Sequence, residues 1–441
     1  MMKKNCLIYF NSNFLLCSKR LYSTTIAQKL EDQKEYVPLK FTDVPINPQL
    51  CCINSKQVFS KIKSQIPADL LTRKKSYDSL YLIDPLVARK VVAEILPYLN
   101  TNAKQVIAEC HPGLGLITRL LLKKGIEPIK LFEPSESFRK LLKKLVSRNR
   151  NKLQLYSKNL LNLSKFNYSD RQDDGVREET LLKNVPKKGW TDDPALSIIG
   201  PLLSDKFLKY IINTIPNQTS LSSYGRTETF LIMKPYQYLS LSTEQDLYLK
   251  RYNYITVMFN LFFEYKLLTK LPRAAFLPWE NIESCDLDKP HNTDKDSLYL
   301  VRAVIKKDLP LPFHDLLPFY CFMKKFFNRS HRIIPVLEVC VPGCGKHIIV
   351  PQLHHEDYFK HIGIFTEFRE LTPNQILGVF REIHQHPNYI GSPLFEMVEA
   401  ETVRTEKLES IYISEHENTL IDEIEDLDLD DHFLEEELHE D

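Results

Sequence analysis

Residues 106–122, VIAECHPGLGLITRLLL, decide the fold of this chain. The apolar run that opens this stretch predicts a buried parallel strand, which ends in the acid Glu109. A turn with two glycines, Gly113 and Gly115, follows the strand, and the apolar spacing from Leu116 onward predicts a helix. Glycines at such a turn let the backbone bend sharply and approach a ligand closely, because no Cβ stands in the way. This order of strand, glycine turn and helix predicts an α/β fold whose turn faces a nucleotide-like ligand.

A second acid follows the turn at an informative distance. Glu133 ends the next apolar run and lies twenty residues after Gly113, where a carboxylate that binds ribose hydroxyls is expected. The dinucleotide-binding pattern needs a third glycine, but the sequence has Thr118 at that place. Two acids at strand ends around a Pro112-Gly113-x-Gly115 turn therefore favour S-adenosylmethionine over a dinucleotide as the cofactor.

The apolar runs on both sides extend the same α/β pattern. Asp84 and Pro85 predict the cap and the first turn of a helix that precedes the central strand. Its predicted apolar face consists of Leu86, Val87, Val91, Val92 and Ile95. Residues 253–263 fit either a helix or a strand. Further strands are predicted at 129–132, 153–156, 196–199, 227–233 and 298–305, with helical stretches between them. Strands that alternate with helices predict a doubly wound parallel sheet.

Two regions depart from this alternation. Residues 165–194 are charged and lack periodicity, so they predict a long inserted loop, in which Trp190 is the residue expected to be held in place. Helical periodicity at 311–327, 372–383 and 393–403 predicts a small C-terminal domain of helices. The expected boundaries are 75–308 for the α/β domain, 309–404 for the helical domain and 405–441 for an acidic, disordered tail.

The N-terminal residues have the composition of a targeting segment. Residues 1–22 contain four Lys and Arg and no acid, which predicts a mitochondrial transit peptide cleaved after Tyr22. A secretory signal is the alternative, but the broken apolar region and the odd number of nine cysteines disfavour it. Residues 23–74 are polar and punctuated by prolines, and they predict an extended lead-in. The expected location is the mitochondrial matrix.

Charge is distributed unevenly along the chain. Beyond Lys407 there are 15 acids and no Lys or Arg, so residues 23–407 carry a net charge of +12 although the whole chain carries +1. A basic body favours a polyanionic partner, most plausibly nucleic acid. The acidic tail either makes the chain more soluble or competes with nucleic acid for the basic surface, and both readings stay open.

Two other classes of feature are disfavoured. No apolar run approaches the roughly 18 residues that suggest a membrane span, so none is predicted. The spacing Cys340-x3-Cys344-x2-His347 fits no common zinc pattern, and the Pro342-Gly343 turn explains it as a loop. No metal site is therefore predicted.

The order of these features resembles the rRNA adenine dimethylase family, and more closely its mitochondrial branch, the transcription factor B proteins. The resemblance covers roughly residues 75–400. It implies a Rossmann-like, S-adenosylmethionine-dependent methyltransferase fold with a small helical C-terminal domain. It rests on Glu109-x-x-Pro-Gly-x-Gly-x-x-Thr118, on Glu133, on the insertion that ends at Trp190 and on Phe276-Leu-Pro-Trp-x-x-x-x-Ser284.

The resemblance implies a set of cofactor-binding residues. Glu109 and the turn would border the methionine part of S-adenosylmethionine, and Glu133 would bind the ribose. Asn159 stands where the family has an aspartate that bonds the adenine amino group. His111 replaces a residue that is usually small in active dimethylases. The implied set is Leu82, Ile83, Glu109, Pro112, Gly113, Gly115, Glu133 and Asn159.

The methylation motif of the family is degenerate in this chain. The family has Asn-Leu-Pro followed by Tyr or Phe at the end of the fourth strand, and the matching residues here are Gly200-Pro201-Leu202-Leu203. In the family, an amide and a backbone carbonyl hold the adenine N6 while the ring stacks on the flipped base. Because the chain has neither the amide nor the ring, we expect weak or absent methylation and predict no catalytic residue.

The degenerate motif places the chain with the kind of factor B that acts mainly in transcription initiation. The resemblance implies that it assists the single-subunit mitochondrial RNA polymerase in melting promoter DNA and binding the start site, in the matrix nucleoid. The alternative is S-adenosylmethionine-dependent N6-dimethylation of adenines in small-subunit rRNA.

Two basic segments are candidate nucleic-acid surfaces. Residues 319–332 combine aromatic rings with the cations Lys324, Lys325, Arg329 and Arg332, as binding to single strands requires. The alternative for this segment is an amphipathic helix with a solvated basic end. The basic helix face within residues 139–152 is the second candidate.

Overall fold

The computed structural model of this protein describes residues 53, 59, 62–72, 80–99, 105–243, 252–279, 297–327, 331–349 and 362–416, with the backbone alone for 405–416. The predictions for the transit peptide, for most of the lead-in and for the tail beyond residue 416 lie outside the described residues. Arg329 and Ser284 lie outside them as well.

The described residues form a central mixed sheet of seven strands and one separate strand pair. The strands are β1 (Tyr81–Leu82), β2 (Val106–Cys110), β3 (Ile129–Phe132), β4 (Leu153–Tyr156), β5 (Leu196–Pro201), β6 (Thr227–Met233), β7 (Phe263–Pro272), β8 (Phe276–Leu277) and β9 (Ser297–Ile305). The order across the large sheet is β4-β3-β2-β5-β6-β9-β7. Strands β4 to β6 in this order are parallel, whereas β9 and β7 are antiparallel. The predicted α/β fold is confirmed, and the predicted parallel arrangement holds for five strands, to which β9 and β7 add antiparallel strands at one edge.

Helices pack on both faces of the sheet. They are α1 (Ala68–Thr72), α2 (Pro85–Ile95), α3 (Leu116–Lys123), α4 (Glu136–Ser147), α5 (Leu163–Asp173), α6 (Arg177–Leu182), α7 (Lys206–Asn217), α8 (Pro235–Ser242), α9 (Tyr254–Phe262), α10 (Phe313–Phe326), α11 (Ile333–Cys340), α12 (Cys344–Ile349), α13 (Pro373–Gln385) and α14 (Pro393–His416). Within the described residues, no helix is long and apolar enough to cross a membrane.

The alternation of side chains along β2 divides the core between the two faces. Val106, Ala108 and Cys110 point to one face, where they share a buried cluster with helices α7, α9, α10 and α13. Ile107 points to the other face, which helices α2, α3 and α4 cover. The helices after residue 309 therefore share a core with the sheet, and the domain boundaries stay a prediction.

The prediction of a loop at residues 165–194 is wrong, because helices α5 and α6 occupy much of this segment. Contacts from elsewhere in the chain hold them. The buried Lys130 donates through its Nζ to the carbonyl oxygens of Leu181 and Lys183 at the end of α6. The buried Asp170 accepts from the backbone N–H of Glu178 at 2.9 Å. Apolar side chains of the segment, Leu181, Leu182 and Val185, are buried in the core as well, but they are too few to give it a clear apolar period.

Capping side chains mark the starts of two helices, α2 and α9. The side chain of Asp84 accepts from the backbone N–H of Leu86 at 2.7 Å, which confirms the predicted cap of α2. Leu86 itself is 57% exposed, so its prediction as a core residue is wrong. At residues 253–263, Asn253 caps the helix α9 and the chain then turns directly into β7 at Phe263.

Candidate functional site

The glycine turn joins β2 to α3 at the carboxyl edge of the sheet. Gly113 and Gly115 have φ angles of 55° and 64°, in the left-handed region that glycine adopts without strain. A Cβ on Gly113 would also lie 2.9 Å from Cδ1 of Tyr81. The first glycine is therefore required both by the backbone conformation and by the ring that packs against it.

The Glu133 carboxylate lies beside this turn, fully buried, and both of its oxygens have partners within the chain. Oε1 accepts from the hydroxyl of Tyr81 at 3.0 Å and from the backbone N–H of Ser135 at 2.8 Å. Oε2 accepts from the backbone N–H of Gly113 at 3.0 Å. Burial raises the pKa of Glu133, and these hydrogen bonds oppose that rise. The hydroxyl of Tyr81 therefore donates to a carboxylate oxygen that is predicted to accept from a ribose hydroxyl.

The Glu109 carboxylate ends β2 on the same side of the turn. Its Oε2 accepts from the hydroxyl of Thr118 in α3 at 2.6 Å, which ties the strand end to the helix. Burial raises the pKa of Glu109 to about 7, and the nearby Glu133 adds to the rise. The two acids that the sequence analysis paired are thus brought together around one turn.

His111 is a buried residue of the turn whose ring lacks hydrogen bonds within the described structure. Its side chain is 5% exposed, and neither ring nitrogen has a hydrogen-bond partner among the described residues. Its φ of 54° is uncommon for a residue with a Cβ. Burial lowers the pKa of His111 to about 4, so the ring is neutral near pH 7. Its ring lies 5.5 Å from the ring of Tyr81, edge to face.

A small cavity lies between the turn and the end of β5. Its volume is about 20 Å³, which is room for one water molecule, whereas a pocket for a small organic ligand needs several hundred Å³. The lining residues include Leu82, Glu109, His111, Pro112, Gly200 and Pro201. The acids and backbone donors suit S-adenosylmethionine in chemical type. In this conformation, however, the chain's own side chains fill the space.

Two other predicted cofactor residues, Ile83 and Asn159, already have contacts within the chain. Ile83 is fully buried and packs in the same cluster as Leu114 and Trp279. The side-chain oxygen of Asn159 accepts from the backbone N–H of Leu161 at 3.0 Å, so it also caps a short helix. Tyr81 is a residue of the site that the sequence alone does not reveal, because no spacing rule connects it to an acid 52 residues away.

The degenerate methylation motif ends β5 directly opposite β2. A Cβ on Gly200 would lie 2.8 Å from the Cβ of Cys110 and 2.9 Å from its carbonyl oxygen, closer than real Cβ atoms come to their neighbours. Pro201 and Leu202 are buried, and Leu203 is partly buried. The end of this strand therefore presents neither a side-chain amide nor an aromatic ring.

In the described part of residues 319–332, aromatic rings lie in the core and cations lie on the surface. Phe319 and Phe322 are fully buried in the core. Lys324 and Lys325 end helix α10 on the surface, and Arg332 is exposed. The guanidinium of Arg332 lies 5.0 Å from the centre of the Phe365 ring, which is 67% exposed. Lys324, Lys325 and Arg332 are therefore exposed cations, and Arg332 lies beside an exposed ring.

The cysteines of the 340–344 turn serve in packing. Cys340 and Cys344 are buried, and the thiol of Cys344 donates to the carbonyl oxygen of Leu337 at 3.2 Å. Burial raises the pKa of both thiols above the usual range. Among the residues that the structure describes, no group of three or more His, Cys, Asp or Glu side chains is arranged to hold a metal ion.

Comparison with known proteins identifies the family to which this arrangement belongs. The sequence model described as ribosomal RNA adenine dimethylase matches residues 71–338, more than half of the chain. The chain belongs to the ribosomal RNA adenine dimethylase family. Membership of this methyltransferase family points to S-adenosylmethionine as the cofactor.

Individual relatives of the dimethylase family are similar to the chain over different lengths. Dimethyladenosine transferase 2, mitochondrial, of Drosophila melanogaster is 29% identical over 388 residues, which cover 80% of this chain and 86% of the relative. The Homo sapiens protein of the same name is 23% identical over 65% of this chain and 75% of the relative. Ribosomal RNA small subunit methyltransferase A of Treponema denticola is 26% identical over 51% of this chain and 66% of its own length.

A solved structure is also similar to part of this chain. The crystal structure of a dimethyladenosine transferase from Plasmodium falciparum superposes with a TM-score of 0.42 and 13% identity. The superposition covers 69% of this chain and 98% of that one.

Proposed function

We propose that this dimethylase-family chain is a mitochondrial transcription initiation factor. It assists a single-subunit RNA polymerase in melting promoter DNA and in binding the DNA at the start site. The observation that carries the proposal is the end of β5, where the contact of Gly200 with Cys110 leaves no space for the amide of the methylation motif. A chain that cannot hold the adenine N6 in line with a methyl donor is better suited to bind nucleic acid than to methylate it.

The hydrogen bonds already made at the cofactor site support a role that does not depend on methyl transfer. Glu133 is the residue that we assign to the ribose, and Glu109 with the 112–115 turn the residues that we assign to the methionine part. The Glu133 carboxylate is already satisfied by Tyr81, Gly113 and Ser135. A bound cofactor would supply a methyl group, but no residue at the end of β5 is placed to present an acceptor to it.

The surface at the end of helix α10 supports nucleic-acid binding. Lys324 and Lys325 would neutralise backbone phosphates, and Arg332 on the exposed Phe365 ring offers a surface on which a base can stack. Two relatives at 29% and 23% identity are named mitochondrial, and on that ground we place this chain in the mitochondrion. The finer assignment to the matrix nucleoid follows from promoter binding.

Run-off transcription tests the proposal. The template is a linear mitochondrial promoter, the enzyme is the matching polymerase, and the assay is run with and without residues 23–441. We expect strong dependence on the protein, equal in the presence and absence of S-adenosylmethionine. Transcription that is the same without the protein would contradict the proposal.

A second candidate function is N6-dimethylation of adenines in small-subunit rRNA. Family membership favours it, as does the similarity to a Treponema denticola protein named for methylation of small-subunit RNA. The test is transfer of labelled methyl groups from S-adenosylmethionine to mitochondrial small-subunit rRNA. Stoichiometric transfer would favour this candidate over the first.

A further inference from the structure

The buried contact between Tyr81 and Glu133 carries an inference about the nucleoside subsite. The hydroxyl of Tyr81 donates to Glu133 at 3.0 Å, and the side chain of Tyr81 is 3% exposed. A ribose hydroxyl that binds a carboxylate does so in the same way, by donating an O–H to one of its oxygens. The tyrosine thus makes the hydrogen bond that a nucleoside would need.

The ring of Tyr81 is held in this place by packing from three sides. Its centre lies 4.5 Å from the ring of Phe138 and 5.5 Å from that of His111. Its Cδ1 fills the space beside Gly113, where even a methyl group would collide. A ligand that reaches Glu133 along this path therefore has to displace the whole ring as well as its hydroxyl.

The segment that carries Tyr81 is a short cover over the turn. Strand β1 has two residues and pairs with β8 through the register Tyr81↔Leu277 and Leu82↔Phe276. Above it, the apolar residues Ile62, Ile66 and Leu70 pack in the same cluster as Tyr81. This pair, which the hydrogen bond from the N–H of Ile83 to the carbonyl oxygen of Ala275 at 2.9 Å extends, is separate from the ladder of the central sheet.

We propose that Tyr81 is an internal occupant of the nucleoside subsite, so that an adenosine-containing ligand binds Glu133 only when the phenol leaves. This inference rests on the proposed assignment of Glu133 to the ribose. The observed affinity for such a ligand is the affinity of the open site reduced by the small fraction of molecules in which Tyr81 has left. Tyr81 is thus a residue that sets the affinity of the site.

Calorimetric titration of the full chain with S-adenosylhomocysteine tests the inference. Tyr81→Phe removes the competing hydroxyl and keeps the ring, and we expect it to bind about tenfold more tightly than the wild type, as the loss of a hydrogen bond to a charged acceptor implies. The matched control is Tyr252→Phe, which removes a buried hydroxyl that donates to the carbonyl oxygen of Leu371 at 2.9 Å, outside the site. The control should leave the affinity unchanged.

Thermal unfolding separates this role from a purely structural one. Without ligand, Tyr81→Phe should unfold at a lower temperature, since Glu133 loses a partner, yet S-adenosylhomocysteine should raise its unfolding temperature more than that of the wild type. Equal or weaker binding by Tyr81→Phe, or no binding by either protein, would overturn the inference. Glu133→Ala removes the acceptor oxygens altogether, and binding by Tyr81→Phe that survives this second substitution would instead overturn the ribose assignment.

Discussion

At the scale of single residues, Glu109 and His111 make opposite contributions to stability as pH changes. The pKa of Glu109 rises from 4.5 to about 7 on burial, so between these values the folded state holds a proton that the unfolded state has lost. Stability therefore falls as pH rises through this window. The pKa of His111 falls from 6.5 to about 4, so its contribution to stability rises with pH between those values.

Glu109→Gln isolates the first of these effects. The neutral amide can still accept from Thr118 and never has to be buried as a charge. We expect the variant to gain about 2 kcal/mol of unfolding free energy relative to the wild type between pH 5.5 and pH 8. Urea unfolding at several pH values measures this difference. A difference that stays constant with pH, or one that Glu127→Gln at an exposed carboxylate reproduces, would contradict the explanation.

Gly200→Asn tests whether the methylation motif can be restored by one substitution. The new Cβ would meet Cys110 at 2.8–2.9 Å, so β5 or β2 has to shift. We expect a loss of about 2 kcal/mol of stability, as for overpacking, and no gain of methyl transfer to rRNA. Ser204→Asn, on the exposed residue just beyond the motif, is the matched control for stability. Methyl transfer by Gly200→Asn at a stability near that of the wild type would show that the strand tolerates the amide.

Residue-level predictions held where the signal was local. The cap at Asp84 and the turn at Gly113 and Gly115 are found as predicted, because capping and positive φ depend on near neighbours. The contact of Tyr81 with Glu133 was not predicted, because the two residues are 52 positions apart and no local sequence pattern connects residues at that separation.

At the scale of elements, the cationic end of helix α10 is the surface whose role can be tested by charge reversal. Lys324→Glu with Lys325→Glu should weaken binding of single-stranded promoter DNA. The fall of log affinity with log salt should become less steep by about 2, one for each lost phosphate contact. Fluorescence anisotropy at several salt concentrations measures both quantities.

The control makes the same charge change on the other basic helix. Lys143→Glu with Lys144→Glu alters exposed residues of α4 without touching α10. If this pair lowers the salt slope and the α10 pair does not, then nucleic acid binds the face of α4 and the assignment to α10 is wrong.

Elements were predictable where the apolar period was strong. Strands β2 to β6 and the helices α10 and α13 lie close to their predicted ranges. The helices α5 and α6 were predicted as a loop, because partners such as Lys130 hold them through tertiary contacts that a local pattern cannot reveal. Strand β7 was not predicted, since its residues are mostly partly or fully exposed and carry no continuous apolar run.

At the scale of the whole molecule, family membership favours methyl transfer, whereas the residues at the end of β5 and around Glu133 do not. The sheet, the glycine turn and the paired acids are those of a methyltransferase, and the family assignment agrees with them. The end of β5 and the Tyr81 contact are the places where this framework departs from what methyl transfer needs. A net charge of +12 on residues 23–407 keeps nucleic acid as the expected partner.

Promoter opening is the measurement that tests this account most directly. A 2-aminopurine base placed next to the transcription start site of a linear mitochondrial promoter brightens when the duplex unstacks. We expect the matching polymerase alone to give little signal and the polymerase with this protein to give a large one, unchanged by S-adenosylmethionine or S-adenosylhomocysteine. No increase with the protein, or an increase only when S-adenosylmethionine is present, would contradict the account.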